Sequence, residues 1–154
     1  MIAWEVDIKL RVQTQSGWEW QVSNDIFKFV KNELYMELRF FDVAFSELIP
    51  QVDETIETMS TDGNCIFFKP EHMISVFKKN SKYLDRLFLH SVLHCIFSHL
   101  WVRGERDLFI WGIACDIIVE YTIDNMEKEI LKRPLSWLRM QVYEKIDENP
   151  DGIS

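Results

Sequence analysis

Residues 83–101, YLDRLFLHSVLHCIFSHLW, decide how this chain folds. Leu89, Val92, Leu93, Ile96, Phe97 and Leu100 recur at helical spacing and form one broad apolar stripe. On such a helix His94 lies one turn along from His90 and about 40° round, so the two imidazoles point the same way. His99 falls roughly 180° from His90, is not expected to reach the same point, and reads instead as a core residue or a group that backs one of the ligands. Two histidines four apart on one helical face are half of a zinc site. Here the pair reads His-Ser-x-x-His, with Ser91 between them where a catalytic zinc motif carries Glu.

The next helix outward supplies the other half. A polar loop, Val102–Asp107, leads into Leu108–Ile123, with Asp107 placed to cap it. That segment is apolar nearly all round, which predicts burial. Its charged residues are Asp116 and Glu120, four apart, with Gly112 one turn earlier on the same strip. Carboxylates on a buried helix need a partner or a metal. The short loop makes the two helices antiparallel neighbours, and Gly112 is expected to let them approach closely. Asp116 then joins His90 and His94, and two His plus one carboxylate with an open position is the composition of a catalytic zinc centre. Taken singly, the histidines read as core residues and the carboxylates as partners of Arg103, Arg106 or another cation. Their joint occurrence favours a metal. Mixed His and carboxylate ligands suit Zn2+ best, and another divalent transition metal is the alternative.

Farther out, residues 3–13 alternate apolar and polar, Ser16-Gly17 offers a turn, and Trp18, Trp20 and Val22 resume the alternation. This predicts an N-terminal hairpin over about 3–22. Ser23 or Asn24 is placed to cap a helix from near Asp25, whose apolar stripe runs irregularly toward Pro50. Thr61-Asp62-Gly63-Asn64 marks a tight turn within a second hairpin at 57–68. Pro70 opens a short helix ending at Lys78, Lys79 and Asn80, after which Ser81 is a candidate cap. Pro134 precedes a last helix marked by Leu135, Leu138, Val142 and Ile146. The expected organisation is one domain over 1–154, with a core at about 25–148 and a polar tail at 149–154.

Composition narrows the partners. The 154 residues are 47% hydrophobic and 14% aromatic, as a globular core requires. Lys and Arg number 17 against 25 Asp and Glu, a net charge of −8 with no basic patch, so nucleic acid is not an expected partner. Apolar runs are broken by charged residues before they reach membrane-spanning length, and no signal peptide pattern opens the chain. Cys65, Cys95 and Cys115 make no C-x-x-C pair and read as reduced thiols. The expected location is cytoplasmic.

The segments STDGNCIFFKPEHM, FLHSVLHCIFSHLW and WGIACDIIVEYTID, in this order and spacing, resemble the metallopeptidase-like domain of bacterial proteins that carry a von Willebrand factor A-like domain behind it. The resemblance covers roughly residues 25–125. It implies a zincin-like α+β fold, helix-rich, with a small antiparallel sheet or hairpins and a central metal-site helix. It places the H-E-x-x-H positions on His90 and His94 and a later Asp on Asp116. It also implies a von Willebrand factor A-like domain, or a peptide or protein ligand, as partner. Ser91 departs from the motif.

That departure governs mechanism. The motif's Glu takes a proton from metal-bound water, a task a serine hydroxyl performs poorly, and general base catalysis is worth about 10²–10⁴-fold. Glu120 is the one candidate substitute base, but it is equally placed to be a fourth ligand or an acceptor for an imidazole N–H. The sequence thus supports a zinc-binding metallopeptidase-like domain with weak, specialised or absent hydrolase activity. Its rival is a non-catalytic pseudopeptidase that binds or assembles partners. A third reading has the histidines simply paired with Asp116 and Glu120, without metal.

Overall fold

The computed structural model describes residues 14–149. The elements run α1 (Gln15–Glu37), a 3-10 turn (Arg39–Phe41), α2 (Asp42–Glu47), β1 (Ile49–Val52), β2 (Ser60–Thr61), β3 (Cys65–Phe68), α3 (Pro70–Lys79), α4 (Ser81–Ile96), α5 (Leu108–Asn125), a 3-10 turn (Glu129–Leu131) and α6 (Trp137–Glu148). The fold is α+β and rich in helix. Its sheet is mixed, in the order β1-β3-β2, with β1 parallel and β2 antiparallel to β3. The expected hairpin is therefore present as β2–β3, while β1 adds a parallel edge that sequence reading overlooked. Pro50 sits in that edge strand, where its missing N–H costs no ladder bond.

The expected N-terminal hairpin is corrected. Residues 3–13 lie outside those described, and 18–22 are helix. Thr14, not Ser23 or Asn24, caps α1, its hydroxyl accepting from Gly17 N at 3.1 Å. The side chains that α1 buries are Ser23, Ile26, Phe27, Val30 and Leu34, a helical stripe. Trp18 and Trp20 stand 40% and 57% exposed, so their alternation reports no buried strand face. Packing of the downstream stripe carries the helix back through them. The tail at 150–154 also lies outside the described residues, and α6 continues to Glu148.

The core lies where α1, α3 and α4 meet the sheet. Phe27 of α1 packs edge-on against Phe68 of β3 and Phe88 of α4, with centroids 4.8 and 6.0 Å apart. Leu84, Phe88, Leu89, Val92 and Leu93 bury the inner face of α4 almost completely. The α4 helix stops at Ile96, so Ile96 and Leu100, expected in the stripe, are each 41% exposed. The α5 helix is also less buried than its composition predicts. Only Cys115, Val119 and Ile123 are buried, whereas Leu108, Phe109, Ile110 and Ile113 face outward. The α4 helix covers one face of α5, and uniform hydrophobicity does not say which.

Asp85 is an exception within this core. It is fully buried on α4 beside another carboxyl, Glu33 of α1, and when charged it has no hydrogen-bond donor among the described residues. Burial first, and then the Glu33 charge, push the Asp85 carboxyl up to about 8. The folded chain thus keeps this proton through a range in which the unfolded chain, with Asp near 4, has released it. Stability from this group is full below about pH 4 and is lost as pH rises toward 8. The difference in unfolding free energy between Asp85→Asn and wild type should climb from near zero at pH 4 to about 1–3 kcal/mol in favour of the variant at pH 8. Urea titrations across that range measure it, and a flat difference would count against the buried proton.

Candidate metal centre

The centre is built on the seam between α4 and α5. The α5 helix begins where the Asp107 side chain accepts from Phe109 N and Ile110 N, both at 3.0 Å. This cap fixes the helix start, and two turns later α5 delivers Asp116 to His90 and His94. Their Nε2 atoms lie 3.4 and 3.1 Å from Asp116 Oδ1 and 2.9 Å from each other. Among the described residues, these three form the group with ligand atoms close enough to share one ion. Two ligands about 2.0–2.1 Å from a tetrahedral zinc stand roughly 3.3–3.4 Å apart. The triangle is close to that size. Asp116 leaves 62% of its side chain exposed, so the open side faces solvent, while the histidines are mostly buried.

The far ring nitrogens explain which atoms face the centre. His90 Nδ1 lies 2.8 Å from Glu120 Oε1, and because a carboxylate only accepts, Nδ1 carries the hydrogen. His94 Nδ1 lies 3.2 Å from His99 Nδ1. When His94 donates from Nδ1 to His99 as His90 does to Glu120, two Nε2 lone pairs and a carboxylate oxygen converge, and they repel unless a proton or cation sits among them. The donor set fits a divalent metal. A proton on an imidazole Nε2 meets the same need, and hydrogen bonds donated by His90 first and then by His94 hold the Asp116 carboxyl far below the usual carboxylate range.

His99 is therefore not where a continued helix would put it. The α4 helix ends, Ser98 adopts a positive φ of 60°, and His99 N bonds back to His94 O at 3.0 Å. The turned-back ring stacks edge-on to His94, and Trp111 Nε1 donates to the His99 carbonyl at 3.0 Å. Ser91, at the position of the motif's Glu, is 4% exposed and turns its hydroxyl onto Leu87 O at 3.3 Å in its own helix. Gly112 makes no close helix approach, since a Cβ there would meet nothing within 4 Å among the described residues.

Behind His90, His94 and Asp116 lies a charge network that the sequence did not announce. Arg86, one turn before His90, is buried and donates from Nη2 to Glu120 Oε2 at 2.5 Å, pairs with Asp124 Oδ1 at 2.7 Å, and donates from Nη1 to Leu131 O at 2.8 Å. Arg133 pairs with the same Glu120 oxygen, and Arg139 stands 3.5 Å from it. The partners of Glu120 are thus His90 and three arginines, not Arg103 or Arg106. A signal was present. Arg86, His90 and His94 step by four along α4, and Asp116, Glu120 and Asp124 step by four along α5, so an antiparallel seam pairs them rung by rung.

The three cysteines are free, and no helix among the described residues is long and apolar enough to cross a membrane. No curated protein and no solved structure matches the chain. One family model does, described as "Putative metallopeptidase domain", over residues 31–148. That span is more than three quarters of the chain and includes the whole seam, extending past the resemblance read from the sequence to take in α6. On this match the chain belongs to that metallopeptidase domain family.

Proposed function

We propose that the chain binds one Zn2+ through His90 Nε2, His94 Nε2 and Asp116, as a metallopeptidase-like centre whose capacity for hydrolysis is weak or absent. The observation that carries the reading is the convergence of three ligand atoms, two imidazole nitrogens and a carboxylate oxygen, within 3.4 Å at a solvent-facing point. When bound, the ion would acidify a water and polarise a carbonyl. The chain's own residues orient the ligands. Glu120 holds His90 in the tautomer that leaves Nε2 free, and His99 Nδ1 is placed to accept from His94 Nδ1 and favour the same tautomer there.

The weakness of hydrolysis follows from what the base would have to be. Ser91 is turned into its own helix. Glu120 has one oxygen on His90 and the other on arginines, so it suits a positioning role better than proton transfer. Without a free carboxylate the 10²–10⁴-fold of general base catalysis is forfeited. That favours a second reading, a domain that uses its metal to bind a peptide or protein and does not cleave it.

Titrating metal-free protein with zinc against a competing chelator tests the first reading. One zinc per chain is expected, and substoichiometric, weak uptake would overturn it. Glu120→Gln keeps an acceptor for His90 but loses the charge. Since losing such an outer partner typically weakens a site by about 10–100-fold, this variant should bind zinc about tenfold more weakly. An unchanged affinity would mean that Glu120 does not act on the metal through His90.

A further inference from the structure

Gly112 sits inside α5, and nothing in the backbone calls for glycine there. It is not among the residues with positive φ, and a Cβ would meet none of the described residues within 4 Å. Glycine within a helix is disfavoured by about 1 kcal/mol relative to alanine. The usual compensation, a neighbouring backbone packed too closely for a side chain, is missing. What Gly112 does border is a cavity of about 290 Å³ whose wall includes His94, His99, Leu100, Trp111 and Cys115. Asp116 follows one turn later on the same strip of α5. The cavity therefore opens beside one ligand of the centre, and a side chain at position 112 would project into it.

The size and lining say what could enter. Pockets for whole drug-sized ligands run to about 300–1,000 Å³, so this cavity suits one group of a ligand. Leu100, Leu108, Trp111 and Cys115 give it apolar walls. Its single permanently charged lining residue, Arg103, spends Nη1 on the Arg106 carbonyl at 2.9 Å. By contrast, Gly63, which faces Trp101, has an evident structural reason. Its φ is +95°, and a Cβ there would lie 2.5 Å from the Trp101 ring.

We propose that this cavity receives an apolar side chain of whatever peptide-like ligand reaches the His90/His94/Asp116 centre, and that the missing side chain of Gly112 keeps it open. The inference rests on the metal reading above and adds to it a preference for a bulky apolar residue next to the group that meets the ion. Gly112 is on this account a specificity-determining position and contributes nothing to folding that alanine would not.

Two probes separate the claims. The hydroxamate of N-acetyl-glycine reports the metal and the amide alone, and the hydroxamate of N-acetyl-leucine adds one isobutyl side chain beside the same chelating group. On zinc-loaded wild-type protein the leucine compound should bind about 10–100-fold more tightly, the gain expected for burying one such side chain. In Gly112→Leu that gain should vanish while the zinc content stays at one per chain. The melting temperature should hold or rise, because leucine is the better helix former. Gly112→Ala should keep most of the gain. An equal gain in wild type and Gly112→Leu, or no gain in wild type that holds its zinc, would overturn this inference alone. Failure of wild type to hold zinc would overturn the metal reading and this inference with it.

Discussion

Replacing His94 by alanine is expected to remove zinc from the protein. Its Nε2 is the corner of the triangle nearest both others, 2.9 Å from His90 Nε2 and 3.1 Å from Asp116 Oδ1. Structural zinc sites with four ligands have apparent binding free energies of about 10–16 kcal/mol, or about 3 kcal/mol per ligand. Losing one ligand should therefore cost roughly 100–1,000-fold in affinity. Elemental analysis after gel filtration should find about one zinc per chain in wild type and almost none in His94→Ala. Thermal unfolding gives a second readout. Zinc at 100 times its Kd should stabilise wild type by about 2.7 kcal/mol and leave the variant unmoved. Equal zinc in the two proteins, or none in either, would return the histidines to plain pairing with Asp116 and Glu120. The paired reading predicts a different outcome, because a chelator should then leave wild-type stability unchanged.

The parts of this centre that could be read from sequence were those set by one helix at a time. His90 and His94 share a face of α4, and Asp116 and Glu120 share a face of α5, because helical spacing fixes both relations before any packing occurs. A short loop then leaves two helices little choice but to lie antiparallel, so the meeting of the two faces followed. His99 escaped because its place depends on a chain reversal at Ser98, a non-glycine residue in the left-handed region that no sequence pattern announces. Arg86 escaped for a different reason. A lone arginine on an amphipathic helix reads as solvated, and only the matched four-residue steps on both helices mark it as the next rung of the seam. In the fold, the α3 helix was legible from Pro70 and its terminal lysines. The start of α1 was not, since the alternating Trp18, Trp20 and Val22 obey a strand period, while the residues that pack, Ile26 to Leu34, lie downstream. The exposure of Leu108, Phe109 and Ile110 was hidden by composition, which records how apolar a helix is and not how many neighbours it has.

The seam also predicts where the fold is most easily broken, at Arg86. Only 5% of its side chain is exposed, and it faces two carboxylates that are themselves 19% and 11% exposed. In Arg86→Met the apolar stem stays and the cation goes. Asp124 keeps Tyr143, whose hydroxyl donates at 2.8 Å, and a longer contact with Arg139 at 3.6 Å. Glu120 keeps Arg133 and Arg139. The Leu131 carbonyl, which accepts from Arg86 at 2.8 Å, loses that donor, and with it goes the tie between the Glu129–Leu131 turn and α4. Stranding one partner of a buried pair costs about 3–5 kcal/mol. The retained arginines put the expected loss near the lower end, at about 3 kcal/mol. Urea unfolding with an unchanged m-value should show it, and a loss under about 1 kcal/mol would mean that the other two guanidinium groups suffice. Adding Asp124→Asn should recover part of the loss, because it removes one stranded charge, and the two substitutions will then be far from additive. The same variant separates scaffold from site. With Arg86 gone, Glu120 is free to turn from His90 toward Arg133 and Arg139, so zinc affinity should fall together with stability. If stability falls and zinc affinity does not, the network holds the helices together, and Glu120 keeps His90 in place without it.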